Sequence, residues 1–259
     1  MKIKSISLFL VFILIIYISI IPVSAADSVS WFVKRNGNKR PEFTEAQKSI
    51  EKYGGYYIDN RVDDNSKNKI LYLTFDSGYE NGNTEKILNV LKEKNVKTAF
   101  FILDHLVLEN TDLVNRMANE GHLVCNHTKN HKDLTKLTRE DAIKNVTDLE
   151  KIYEQKTGVK LSSYFRFPEG KYNIEALKLV NELGYKTIFW SFAYEDWDNN
   201  KQLPAEKAYK KIMDNTHNGA VILLHPTSKT NAEILPKLID EWRNQGYEFG
   251  TLDDLTKAR

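Results

Sequence analysis

The chain has a single cysteine, Cys125, among its 259 residues. No intrachain disulfide can form, so stability has to come from a buried core. Excess charge is scarce too: 37 basic residues stand against 35 acidic ones. Lys2 and Lys4 are the only charged residues before Ala26, so the chain beyond them is formally neutral. That balance argues against a nucleic-acid partner or any other polyanion. No GxGxxG or P-loop pattern follows the first strand-like run, which weakens a nucleotide-binding reading. There is no internal repeat and no low-complexity tract.

What is there divides into three parts. Lys2 and Lys4 lead into an apolar run from Ile6 to Ile21, followed by Pro22-Val23-Ser24-Ala25-Ala26. A basic start, an apolar stretch and a small-residue end read as an export signal, residues 1–25, cut after Ala25. The alternative is a retained membrane anchor, since the run approaches the ~20 residues that span a bilayer. Either way the protein is exported, and it meets a membrane only through this segment if uncleaved. Residues 26–68 are polar and irregular but hold Trp31, Tyr53, Tyr56 and Tyr57. They read as an N-terminal extension that lays its aromatics on the main domain, or as a partly ordered linker. The turn-rich stretch Asp63 to Asn68 marks the boundary with the main domain, residues 69–259.

In that domain short apolar runs alternate with amphipathic stretches. Strands are predicted at Ile70–Phe75, Thr98–Leu103, His122–Asn126, Tyr164–Phe167, Thr187–Ser191, Ala220–Leu224 and Tyr247–Thr251. Helices are predicted at Thr84–Lys94, Arg139–Lys156, Ile174–Leu183, Ala205–Asn215 and Ala232–Gln245. Gly121, Gly184 and Gly246 stand where helix C-caps are expected. Seven strands alternating with helices imply an α/β fold with a parallel sheet and right-handed crossovers. A (β/α) barrel is preferred to an open doubly wound sheet.

In such folds the working face lies beyond the C-terminal strand ends. Asp76 follows the first strand, His127 the third, Arg166 the fourth, Asp196 and Trp197 the fifth, and His225 the sixth. Each has a plain structural reading: helix cap for Asp76, ion pair for Arg166 and Asp196, core histidine for His225. Five strands giving reactive side chains at one rim make a constellation. His127 and His131, four apart, would bring two imidazoles onto one metal across a helical turn. Cys125, two before His127, reads as a buried thiol rather than a ligand. Trp190, Trp197 and Tyr194 read as a sugar-stacking wall or as core.

These residues fall in stretches that resemble the polysaccharide deacetylase family, also called carbohydrate esterase family 4 or the NodB-homology domain. The resemblance covers roughly residues 69 to 255 and carries five motifs in order: TFDSG from Thr74, HTKNH from His127, RFPEG from Arg166, Asp196-Trp197, and LLH from Leu223. It implies a distorted (β/α) barrel of about seven parallel strands and hydrolysis of an N-acetyl group on an amino sugar. By resemblance Asp76 is the base, Arg166 orients it, His225 is the acid, Asp196 keeps that imidazole charged, and Leu223 lines the acetyl pocket. Trp197 and Tyr194 are assigned to substrate. His127 and His131 are assigned to a divalent metal, zinc first, with cobalt and manganese as alternatives. The family usually has a second aspartate, a third metal ligand, where this chain has Ser77. That substitution removes a negative charge and puts metal dependence in question. Glu169 stands where many relatives carry an aromatic residue, which unsettles the contacts to the developing oxyanion.

Three stretches, FDSGYENG, SFAYEDWD and LLHPTSKTNAEIL, are similar to the muramic-acid deacetylases of spore-forming bacteria. That branch implies peptidoglycan glycan strands as partner and N-acetylmuramic acid as substrate. Its product would be the precursor of the muramic δ-lactam of spore cortex, formed after a muramoyl-L-alanine amidase has acted. Three rivals stay open. One is a deacetylase of chitin or N-acetylglucosamine polymers. Another is a non-catalytic glycan-binding relative disabled by Ser77. The third is a glycoside hydrolase using Asp76 and Asp196 as its two carboxylates.

Overall fold

A computed structural model describes residues 27–257. The segment read as an export signal lies outside the described residues, among which no helix is long and apolar enough to cross a membrane. The N-terminal segment forms β1 (Val29–Ser30), α1 (Glu45–Lys48) and β2 (Gly55–Tyr56). Then come β3 (Lys69–Ser77), α2 (Thr84–Glu93), β4 (Ala99–Ile102), α3 (Asp104–Glu109), α4 (Thr111–Asn119) and β5 (Leu123–Asn126). The middle of the chain gives α5 (Arg139–Thr157), β6 (Ser162–Phe165), β7 (Lys171–Tyr172), α6 (Ile174–Glu182) and β8 (Lys186–Ile188). The last part gives α7 (Ala205–Met213), β9 (Ala220–Leu224), α8 (Lys229–Asn244), β10 (Tyr247–Phe249) and α9 (Leu252–Leu255).

All seven predicted strands are present, and they join one parallel sheet in the order β10-β3-β4-β5-β6-β8, with β9 on the other edge of β3. The sheet curls until its far side returns to β9. Just past β8, Phe192 pairs in parallel with Ile222. The amides of Ser191 and Leu223 bond across this seam at 2.9 Å each, to Val221 and Phe192. Isolated bridges, not a full ladder, join this side to β9, and this is the distortion of the barrel. Below the seam β2 adds an eighth parallel strand, on β8, and Ile58 then bridges to Ala220. Two residues of glycine and tyrosine carry no alternation, so β2 has no signature in the sequence.

The strands read as apolar runs because both their faces are covered. Along β3, Leu71, Leu73 and Phe75 join a cluster with helix residues Ile87, Leu88, Leu235 and Trp242. Tyr72 turns inward with Phe101, Cys125, Ile188 and Val221, and α9 adds Leu252 and Leu255 to that interior. The helical stretch between β4 and β5 is absent from the predicted set. It is two short helices broken at Asn110 (φ −135°, ψ 46°), so no single 3.6-residue period runs through it.

The N-terminal segment packs on the side that carries β6 to β8. Trp31 is buried, stacks on Phe189 at 4.5 Å between ring centroids, and donates its indole N–H to the Trp190 carbonyl at 2.8 Å. β1 pairs with β7, and Arg35 donates to the Ala193 carbonyl at 2.8 Å. The segment thereby holds the two loops that follow β6 and β8, which are rim loops.

Candidate active site

The first half of the site grows from β3, β5 and β6. Thr74 and Asp76 continue the inward row of β3 begun by Tyr72. Arg166 follows β6, where the pairing with β5 shifts register between Cys125 and Asn126 and re-aims the strand end. Its fully buried guanidinium donates to Asp76 Oδ1 at 2.8 Å, to Thr74 Oγ1 at 2.9 Å and to the Ile188 carbonyl at 3.0 Å. It also lies 4.1 Å from the Phe101 ring centroid. A planar fork suits three fixed acceptors, which lysine could not serve. Burial pushes the Asp76 carboxyl up, but the Arg166 guanidinium, foremost among its neighbours, holds the carboxyl below its ordinary range.

His127 meets the same cluster from β5. Its Nδ1 lies 2.8 Å from the Arg166 carbonyl oxygen, so Nδ1 carries the proton. Burial, against the charge of Asp76, pushes its pKa down to about 4, so the ring is neutral. The bare Nε2 then faces Asp76 Oδ2 at 3.5 Å. Two acceptors confront each other there with no proton between them. His131 is adjacent, with ring centroids 4.9 Å apart. Burial lowers its pKa as well. The two rings do not meet across a helical turn, as the spacing suggested. They meet across a tight loop in which Thr128 and His131 both have positive φ, 73° and 59°. Such residues cost about 1–3 kcal/mol each. The loop offsets this with its own bonds: Asn126 Oδ1 accepts from the Thr128 amide at 2.8 Å, and Thr128 Oγ1 from the His131 amide at 3.0 Å.

Two neutral imidazoles and an acceptor-lined gap suit a divalent cation. Ser77 ends β3 beside Asp76, fully buried, and its hydroxyl has no hydrogen-bond partner among the described residues. Among the described residues no group of three or more His, Cys, Asp or Glu side chains is arranged to hold a metal. By donor type the two imidazoles suit a metal, but the set stops short of three such ligands, and Ser77 stands where a second carboxylate is expected. Cys125 supplies nothing to it, being wholly buried in the barrel interior with its thiol pKa raised by burial.

The second half grows from β9 and the loop after β8. His225 follows β9, with Leu223 on the same inward row, beside Thr74 in register. His225 Nδ1 donates to Asp196 Oδ1 at 2.7 Å, and the His225 amide donates to Asp196 Oδ2 at 2.8 Å. Burial alone would lower the His225 pKa, but the charge and hydrogen bond of Asp196, with Asp76 behind them, raise it above the ordinary imidazole value. Asp196 is itself 1% exposed. Its Oδ2 also accepts from Asn231 Nδ2 at 2.6 Å. Asn231 sits in the first turn of α8, where the Ser228 side chain caps the Asn231 amide at 3.0 Å.

Asn231 went unrecognised in the sequence, because a polar residue in a helix's first turn is expected there in any case. Tyr194 needs a correction. It is buried and donates its hydroxyl to Asn231 Oδ1, so it braces the acid pair and forms no sugar-facing wall. Trp197 is 61% exposed and is available to a ligand. Leu223 is buried in the floor beneath His225. Glu169 has positive φ, 56°, and its side chain turns to Lys171 at 2.5 Å. The proposed carboxylate pair, Asp76 and Asp196, is divided between the two halves, each already hydrogen-bonded to a different basic side chain.

Comparison with known proteins points the same way. Residues 63–188 match the sequence profile of the polysaccharide deacetylase family. The chain is 40% identical over 233 residues to the peptidoglycan-N-acetylmuramic acid deacetylase PdaA of Bacillus subtilis, covering 88% of this chain and 86% of that one. The solved structure of B. subtilis PdaA, described as a family 4 carbohydrate esterase, superposes with a TM-score of 0.83 at 37% identity, over 91% of this chain and 98% of that one. A family 4 carbohydrate esterase of Bacillus anthracis gives 0.74 at 36% identity, over 90% and 98%. The peptidoglycan-N-acetylglucosamine deacetylase PgdA of Listeria monocytogenes is 35% identical over 188 residues, 73% of this chain and 39% of that one. With the five motifs on one rim and PdaA matched over 86% of its length at 40% identity, the chain belongs to the polysaccharide deacetylases, carbohydrate esterase family 4.

Proposed function

We propose that the protein is a peptidoglycan N-deacetylase, a hydrolase that removes the acetyl group from N-acetylmuramic acid. One observation carries the chemistry: a carboxylate bound by Arg166 and an imidazole bound by Asp196 end two neighbouring strands, β3 and β9. The similarity to PdaA over most of both chains supports muramic acid over N-acetylglucosamine as the substrate sugar.

Hydrolysis of an amide needs an activated water and a protonated leaving nitrogen. Asp76, ionised and oriented by Arg166, takes the proton of the attacking water. The water oxygen adds to the acetyl carbonyl carbon. His225 then gives a proton from Nε2 to the sugar nitrogen as the C–N bond breaks, releasing acetate and the free amine. Asp196 fixes the tautomer that points Nε2 outward and stabilises the charged ring. Each of these acid–base groups contributes typically ~10²–10⁴-fold. Leu223 is suited to the acetyl methyl, and Trp197 to a sugar face. His127 and His131 would hold a divalent metal, zinc by donor type. When bound it supplies Lewis-acid polarisation of the carbonyl and lowers the pKa of water to about 7.

The wider setting belongs to the same proposal. The protein is exported and acts on glycan strands whose peptide stems an amidase has removed, making the precursor of muramic δ-lactam in spore cortex. The test is acetate release from muramic-containing glycan with and without peptide stems, in chelator and in added zinc. We expect release from the stem-free glycan, lost in Asp76→Asn. Faster release from chitooligosaccharides would transfer the reading to N-acetylglucosamine polymers. Glycan binding without acetate would leave a binding protein.

A further inference from the structure

Trp31 belongs to the N-terminal segment and supplies no group to either half of the site. Yet it is buried against both stretches of chain that seat Arg166. One is the loop after β6, which runs on from Arg166 to Gly170. The other is the end of β8, from Ile188 to Trp190. The Trp31 amide donates to the Gly170 carbonyl at 2.8 Å. Its indole N–H donates to the Trp190 carbonyl at 2.8 Å, and its ring stacks on Phe189 at 4.5 Å. Gly170 is packed between the two tryptophans. It has φ +64°, and an added Cβ would meet Trp190 Cη2 at 2.8 Å and Trp31 Cβ at 3.0 Å. The joint has no room for a side chain, and it holds the two stretches at one spacing.

Arg166 is fixed by these same stretches. Its Nε donates to the carbonyl of Ile188, the residue before Phe189, at 3.0 Å. Its guanidinium carbon lies 5.8 Å from the Trp190 ring centroid. A guanidinium is a rigid plane, so a shift at Ile188 turns the arm that meets Asp76 Oδ1. A misplacement of about 1 Å at the chemistry can cost about 10²-fold in rate.

We propose that Trp31 is a positioning residue for the base. It locks the loop after β6 to the end of β8, which seats Arg166 and through it sets the direction of Asp76. The N-terminal segment is then part of the catalytic apparatus, although it touches no reacting atom. The inference rests on Asp76 acting as base in the deacetylase reading above.

The experiment compares Trp31→Ala with Phe43→Ala in the full chain. Phe43 is the control. Its ring packs in the same cluster, 5.7 Å from the ring of Trp31 and 4.4 Å from that of Tyr57. Trp31→Ala should lower kcat for acetate release from muramic-containing glycan by about 10–10²-fold with KM unchanged. Phe43→Ala should lose stability in chemical denaturation and keep its kcat. Trp31→Phe keeps a ring and loses the N–H, so its kcat should fall between those of wild type and Trp31→Ala. It carries the comparison if Trp31→Ala does not fold. A second readout needs no turnover. The Arg166 Nε–H proton, followed by NMR, should exchange with solvent at least about tenfold faster in Trp31→Ala and at the wild-type rate in Phe43→Ala. Wild-type kcat or unchanged exchange in Trp31→Ala, a loss carried by KM alone, or an equal kcat loss in Phe43→Ala would each overturn the role. Absence of acetate release by the wild type would instead refute the deacetylase reading, and the exchange rates would still decide whether Trp31 seats Arg166.

Discussion

Both oxygens of Asp196 are taken up by donors of this chain, from the His225 ring and amide and from Asn231. Asp76 gives one oxygen to Arg166 and turns the other toward a His127 nitrogen that has no proton to donate. The acid half is therefore complete as folded. The base half is anchored by Arg166 but left electron-rich on its open side, with a buried Ser77 hydroxyl also unpartnered. Buried polar groups normally find partners, and unpaired ones mark places where something else belongs. The difference between the halves is that the chain's own donors satisfy the acid half, whereas the base half keeps acceptors that the described residues do not pair.

The deepest break should come at Arg166, whose charge is buried on every side. Arg166→Met leaves Asp76 desolvated without its counterion and frees Thr74 and the Ile188 carbonyl. Removing one partner of a buried pair costs about 3–5 kcal/mol. We expect that loss in chemical denaturation, together with loss of acetate release. Adding Asp76→Asn to the same chain should restore part of the stability, since no carboxylate then remains unpaired, and none of the activity. Equal stability of the single and double variants would show that Arg166 serves packing and not the charge of Asp76.

The acid half should break differently, through pH. His225 acts while protonated, so activity is present below its pKa and lost as pH rises through it. Asp196 raises that pKa, which extends the active range upward. Asp196→Asn should therefore move the basic limb of kcat/KM to lower pH and reduce the rate at neutral pH, within the ~10²–10⁴-fold span of acid–base catalysis. A pH profile measured on Asp196→Asn checks this, and an unmoved basic limb would remove His225 from the role of acid.

The same contrast explains what was legible in the sequence. Strands buried on two faces announce themselves as apolar runs, and the polar residue that ends each run marks the rim. Asp76, His127, Arg166 and His225 were readable for that reason. The closing seam at Phe192 and the strand β2 were not, since each rests on contacts too short to leave a period. Tyr194 and Asn231 depend on a contact between residues 37 apart, which nothing local foretells. The His127–His131 loop was readable in its ligand spacing but not in its backbone. Left-handed positions usually call for glycine or asparagine, and here they fall on Thr128 and on His131 itself.

The smallest change that sharpens the contrast is Ser77→Asp, which supplies the charge the base half lacks. An anionic third donor beside the neutral His127 and His131 should raise zinc affinity at least tenfold, about 1.4 kcal/mol. Competition against a chromophoric chelator measures it. The same carboxylate is a burden without metal, because a buried acid next to Asp76 repels it and loses its water. Without zinc the variant should unfold at lower temperature than the wild type, by the equivalent of about 1–3 kcal/mol. Zinc should reverse that loss and carry the variant above the wild type, because a ligand that binds only the folded state stabilises it in proportion to its affinity. Destabilisation that zinc does not reverse would place Ser77 outside the metal's reach. The open side of Asp76 would then belong to water and substrate alone.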